Sequence, residues 1–219
     1  MADPTILVVH NEVDDEYAYH CDALASYVPN ALECDFPAGE RPAFEGVDGV
    51  ILTGSTAGVY EVDDQPWIAD QESLVRDLLE REIPTLGVCF GHQIVNAALG
   101  GTVEAGETTS KLVTADLAED PLFDDVEPIF PAVHGDVVTE LGLGLEPIAS
   151  ASYYPAFATR HRDAPLWTTQ FHPEFTADLR DRLEADFGWT ETEHDFADVN
   201  AVRVFENFQT LVEEGGSSR

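Results

Sequence analysis

Two hydrophobic rhythms alternate along the first hundred residues. Short β-branched runs read as strands at Thr5 to Val9, Ala31 to Phe36, Val50 to Thr53 and Pro84 to Val88. Longer amphipathic stretches separate them, from about Glu16 to Tyr27, from Trp67 to Arg81 and from Gly91 to Leu99, the last stopped by Gly100-Gly101. Nearly continuous apolar strands joined by helical crossovers predict a parallel sheet with helices on its faces. After Thr102 the rhythm changes to short strands and turns, at Lys111 to Leu117, Ile129 to Val133, Ile148 to Ala151, Phe157 to Arg160 and Leu166 to Phe171. Two helices, Thr176 to Asp186 and Val199 to Val212, close the chain before a polar Gly-Gly-Ser-Ser tail expected to fray from about residue 214. The expectation is one α/β domain over residues 1–219, with a flavodoxin-like, mostly parallel open sheet and a smaller antiparallel section.

Composition alters this picture in one respect. Forty-three acidic residues oppose ten basic ones, a formal charge of −33, and Lys111 is the only lysine. Acid spread along the whole chain points to the carboxylate-rich surface of an extreme halophile, and it argues against direct binding to nucleic acid or anionic lipid. Three cysteines, Cys21, Cys34 and Cys89, fit a reducing cytoplasm better than a disulfide framework. No basic leader and no run long enough to span a bilayer stands out, so a cytoplasmic location is expected.

The candidate chemistry begins at Gly87-Val88-Cys89-Phe90-Gly91-His92-Gln93, where a strand turns directly into a helix. Glycines on both sides of Cys89 remove the side chains that would collide at so sharp a turn. The free amides that open the following helix favour a thiolate and could hold an oxyanion. A buried structural cysteine also satisfies Gly-x-Cys-x-Gly, so a base is needed to make the case. Phe171-His172-Pro173-Glu174 supplies one at the end of a strand, with an orienting carboxylate two residues on, on the same side of an extended segment.

These two segments resemble the signatures of class I, triad-type glutamine amidotransferases, in the order that family uses. Val133-His134-Gly135-Asp136 is similar to a third family segment, much as in the domain of GMP synthetase. The resemblance implies that Cys89 attacks the glutamine carboxamide and forms a γ-glutamyl thioester, with ammonia released. It implies His172 as general base and acid, oriented by Glu174, and the backbone amides of Gly54 and Phe90 as oxyanion donors. Gln93 and the backbone at Val133 and His134 would contact the substrate. Thr53-Gly54-Ser55-Thr56 replaces the common Gly-Gly-Pro, and with Tyr60 and Asp63 to Ile68 it resembles stand-alone GMP-synthetase-like members and plant γ-glutamyl peptidases.

His10, His20, Cys21 and Cys34 lack zinc-ligand spacing, so no metal is expected, and Cys21 and Cys34 read as core residues. His10 reads as a structural histidine. Neither a phosphate-binding Gly-Lys-Ser/Thr loop nor a dinucleotide fingerprint occurs, so no cofactor is expected, and any synthesis with the ammonia would need a separate synthetase subunit. Three readings stand: a glutaminase acting alone or for such a synthetase, a hydrolase of γ-glutamyl peptides or polyamines, and a non-catalytic sensing or interaction module. An α/β-hydrolase is disfavoured because its acid precedes the histidine, whereas Glu174 follows His172.

Overall fold

A computed structural model describes residues 3–216. Four apolar segments form parallel strands: β1 (Ile6–His10), β2 (Leu32–Asp35), β3 (Gly49–Leu52) and β4 (Thr85–Val88). Between them run α1 (Tyr19–Ser26), α2 (Trp67–Glu80) and, after β4, α3 (Phe90–Ala98). The remaining strands are β5 (Thr102–Leu117), β6 (Ile129–Glu140), β7 (Leu145–Ala151), β8 (Tyr154–His161) and β9 (Leu166–Thr169), followed by α4 (Arg180–Phe187) and α5 (Arg203–Gly216). The strands join one nine-stranded sheet in the order β2-β1-β3-β4-β9-β8-β7-β5-β6.

Alternation along the central strands explains why both faces carry helices. Ile6, Val8, Ile51, Leu86 and Val88 point to one face, where they pack with Leu24 of α1 and Val204, Phe205 and Phe208 of α5. Leu7, Val9, Val50 and Leu52 point to the other, against Ile68, Val75 and Leu78 of α2 and Ile94 and Val95 of α3. Strands buried on both sides have no polar face, which is why their sequences read as unbroken apolar runs.

The expected α/β architecture holds, but the antiparallel part is larger than the sequence suggested. Strand β9 pairs parallel with β4 and antiparallel with β8, so β5 to β8 continue the same sheet. Strand β5 begins nine residues before the expected Lys111, because its first half is mostly exposed and is held by its ladder to β6, not by burial. That ladder also extends β6 to Glu140. The first helix starts later than expected, after turns through Ala18. The segment from Thr176 opens with a 3₁₀ turn at Ala177–Leu179 before α4. Helix α5 continues to Gly216, and the rest of the expected frayed tail, residues 217–219, lies outside the described residues. No helix among the described residues is long and apolar enough to cross a membrane.

Candidate active site

Strand β4 and helix α3 meet at Cys89, which adopts φ 53° and ψ −104°. A side chain in this half of φ space costs on the order of 1–3 kcal/mol and needs surrounding structure to hold it. Here the Cys89 amide donates to Thr169 O on β9 at 2.8 Å, and its carbonyl accepts from Gln93 N at 3.1 Å. The flanking glycines are obligatory: a Cβ on Gly87 would stand 2.4 Å from Gly91 O, and one on Gly91 would stand 2.4 Å from Leu52 O. The turn sets Cys89 at the carboxyl edge of the sheet, at the start of α3, whose first amides have no intrahelical acceptor.

His172 and Glu174 follow β9, the neighbour of β4, so sheet order alone carries them to the cysteine. The His172 Nδ1 lies 2.7 Å from Glu174 Oε1, and both side chains are buried. Stacking on Phe175, with ring centroids 4.2 Å apart, fixes the plane of the imidazole. Burial opposes a charge on His172, yet the Glu174 carboxylate and the Cys89 sulfur within hydrogen-bonding reach hold its pKa well above the ordinary value. The Val133 carbonyl faces both partners, 3.7 Å from Cys89 Sγ and 3.3 Å from His172 Nε2. A thiol, an imidazole and a carboxylate so placed have the geometry that nucleophilic catalysis requires.

Cys89, His172 and Val133 border a cavity of about 280 Å³ together with Gln93, His134, Asp136, Tyr60 and Glu61. The Gln93 amide donates to Gln170 Oε1 at 3.2 Å. His134 bonds through its two ring nitrogens with Asp136 O and the Tyr153 hydroxyl. Burial pushes the His134 pKa down to about 4, so its ring is neutral at physiological pH and is no rival to His172 as a charged partner for the thiol. Burial pushes the Asp136 carboxyl up, against the hydrogen bond it accepts from Tyr60 at 3.1 Å.

The family model described as "Glutamine amidotransferase class-I" matches residues 16–187. The chain belongs to this family. Among curated relatives, the glutamine-hydrolyzing GMP synthase of Sulfurimonas denitrificans is 34% identical over 134 residues, covering 58% of this chain and 25% of that protein. This amidotransferase thus matches about a quarter of the length of such relatives. A protein of Methanothermobacter thermautotrophicus named as one subunit of a glutamine-hydrolyzing GMP synthase is 28% identical over 173 residues, covering 77% of this chain and 88% of that one. In fold, the chain is similar to a putative GMP synthase subunit from Thermoplasma acidophilum, with a TM-score of 0.71 at 19% identity over 99% of this chain and 98% of the other. It is also similar to a glutamine amidotransferase from Thermotoga maritima, with a TM-score of 0.70 at 20% identity over 97% and 98%.

Several residues of the amidotransferase site escaped the sequence reading. Gln170 donates its amide to Cys89 Sγ at 3.5 Å and accepts from the Tyr154 hydroxyl at 3.2 Å. Its position two residues before His172, where extended backbone returns to the same side, was the available signal. Glu12 and His20 also border the cavity, and no motif marks them. His92, within the cysteine motif, is structural: it bonds with Thr168 Oγ1 at 2.7 Å and with the Tyr154 hydroxyl at 3.0 Å, and burial pushes its pKa down to about 3. Cys34 is a buried core residue as expected, and His10 pairs with Glu33 on β2 at 3.0 Å. Cys21 is equally buried but sits in a polar cluster: burial alone would raise its pKa, whereas His10 and His20 draw it down to about 6.

Proposed function

We propose that this chain hydrolyses the side-chain amide of L-glutamine through a thioester on Cys89. His172 takes the thiol proton, and the sulfur attacks the carboxamide carbon while the amides of Gly54 and Phe90 receive the oxyanion. Collapse of that intermediate breaks the C–N bond as His172 returns the proton to nitrogen, and ammonia leaves. Water, deprotonated by the same imidazole, then attacks the thioester to give glutamate and the free thiol. Glu174 holds the imidazole tautomer throughout. Gln93 and the backbone of Val133 and His134 contact the amino-acid end of the substrate. Every atom is balanced by glutamine and water, so the reaction needs no cofactor.

The observation that carries this reading is the meeting of a strained Cys89 with the buried His172–Glu174 pair, two residues and a cysteine drawn together from neighbouring strand ends. Class I membership and the triad's chemistry also allow a γ-glutamyl peptide or polyamine as substrate, since the acyl half is identical. The Methanothermobacter relative, named as one subunit of a GMP synthase and matched over most of its length, supports delivery of ammonia to a separate synthetase subunit.

A glutamine-like electrophile should label Cys89, and Cys89→Ala should abolish ammonia release with the fold unchanged by circular dichroism. Label found on Cys21 or Cys34 by mass spectrometry would refute the assignment. Turnover of γ-glutamyl peptides far above that of glutamine, in concentrated salt, would replace the synthetase-partner reading with the conjugate-hydrolase one.

A further inference from the structure

A second buried carboxylate–imidazole pair borders the same cavity. Glu12 Oε2 lies 2.9 Å from His20 Nε2, and the two side chains are only 2% and 7% exposed. Glu12 also accepts from Thr56 N at 3.0 Å, from the Thr56 hydroxyl, and from Val13 N and Asp14 N at 2.8 and 3.0 Å. A carboxylate so thoroughly satisfied stays ionised: burial would raise its pKa, but these donors hold it below the usual value. Burial likewise opposes a charge on His20, yet its contacts with Cys21 and Glu12 bring its pKa up to about 10.

Thr56 lies two residues beyond Gly54, whose amide is assigned above to the oxyanion. On the near side of Gly54 a separate set of bonds grips Thr53. Asn11 donates its backbone N–H to Thr53 Oγ1 at 3.0 Å and its side-chain amide to Thr53 O at 2.9 Å, and Cys21 Sγ lies 3.3 Å from Thr53 Oγ1. Gln71 in turn donates to Asn11 Oδ1. Gly54 is therefore held between two anchors. A Cβ there would stand 3.2 Å from His172 Cε1, 3.3 Å from His20 Cε1 and 3.5 Å from Cys89 Cβ, so both imidazoles and the cysteine crowd one point. The His20 and His172 rings meet edge to face, 6.1 Å apart.

A buried ion pair adds little net stability, because desolvation cancels most of its attraction. Its placement is better explained by function. We propose that the Glu12–His20 pair is a positioning element for acyl transfer: it fixes the Gly54 amide against the acyl oxygen and sets a positive charge beside Cys89. That charge favours both the thiolate and the developing oxyanion. The proposal rests on the glutamine-hydrolysis reading above. It also accounts for the Thr-Gly-Ser-Thr loop, in which Thr53 and Thr56 supply the anchoring hydroxyls.

The titratable groups facing His20 are Glu12 from the segment after β1, Tyr19 and Cys21 on α1, with His10 behind Cys21, and His172 after β9. Glu12→Gln leaves the packing in place but removes one of the two anions, after Cys21, that draw the His20 pKa up. Thr56→Val leaves the ion pair and removes one anchor on an exposed residue. In Glu12→Gln, kcat on glutamine should fall about ten- to a hundredfold with KM within about threefold, somewhat less than deletion of an oxyanion donor. The acid limb of kcat/KM, and of iodoacetamide labelling at Cys89, should move to higher pH, because the cation beside the reacting sulfur is weakened. Thr56→Val should lower kcat by about threefold or more without moving that limb. An unchanged kcat and acid limb in Glu12→Gln, or a loss confined to KM, overturns the proposal. Should Glu12→Gln fail to fold, Thr56→Val decides: a lowered kcat supports the proposal and a wild-type kcat overturns it. Wild-type protein that labels at Cys89 but leaves glutamine untouched would refute the substrate reading, while the pH dependence of labelling would still judge the charge beside Cys89.

Discussion

Replacing Glu174 with glutamine keeps the shape of the triad and removes its charge. The Nδ1–Oε1 separation of 2.7 Å places the two charge centres roughly 4 Å apart, where an ion pair is worth about 4 kcal/mol at an effective dielectric of 20. Since about 1.4 kcal/mol is a factor of ten, loss of that attraction makes any step that forms the His172 imidazolium up to about a thousandfold less favourable. Proton transfer from Cys89 to His172 is such a step, so formation of the attacking sulfur should be penalised to a similar extent. A glutamine side chain can also turn its amide N–H toward Nδ1 and favour the wrong tautomer, which acts in the same direction. We expect kcat/KM for glutamine to fall at least about a thousandfold. Ammonia release measured against pH, beside the ultraviolet absorbance of the thiolate, would test this. A variant that keeps more than about one tenth of wild-type kcat/KM, with its thiolate titration unmoved, would refute the role given to Glu174.

Gly91→Ala sets a Cβ 2.4 Å from the Leu52 carbonyl, a backbone atom at the carboxyl end of β3, so the elbow must shift. We expect a loss of about 3 kcal/mol or more in denaturant unfolding together with loss of Cys89 labelling, and an unchanged midpoint would contradict the packing described. His92 tests the pH dependence of stability. Its folded pKa of about 3 lies below the unfolded value of 6.5, so its contribution is fully present above about pH 6.5 and is lost as pH falls toward 3. His134, at about 4, acts with the same sign. His92→Gln should therefore lower the thermal midpoint at neutral pH but flatten its decline in acid, and parallel pH profiles for the two proteins would count against a neutral buried His92.

Much of the site was legible because its local parts are covalent neighbours. Gly87, Cys89 and Gly91 form one strand-to-helix turn, and His172 and Glu174 are two residues apart; the structure joins them through a turn after β9, closed by Phe175 N–H donating to His172 O at 3.2 Å, and not along the extended segment expected. What spacing could not supply was the distance between the halves. That comes from the parallel pairing of β4 with β9, which aligns Val88 with Thr169 across some eighty residues of intervening chain. The Glu12–His20 pair was illegible for the same reason. Eight residues separate its members, with a turn between them, and their shared target at Thr56 lies 44 residues from Glu12. The exposed half of β5 was missed because a strand held mainly by its ladder leaves no apolar alternation to read.

The sequence by itself determined the class of fold and marked the cysteine and histidine proposed as nucleophile and base, since burial on both faces writes continuous apolar strands and a strained elbow requires glycines at fixed offsets. Only the tertiary structure decided which histidines are charged. His134 and His92 stand in buried surroundings that keep them neutral, whereas His172 faces Glu174, and His20 faces Cys21 and Glu12, partners that hold them protonated. All four are the same residue type in the sequence. A charge state depends on desolvation and on partners within a few ångströms, and those distances exist only once the sheet has assembled.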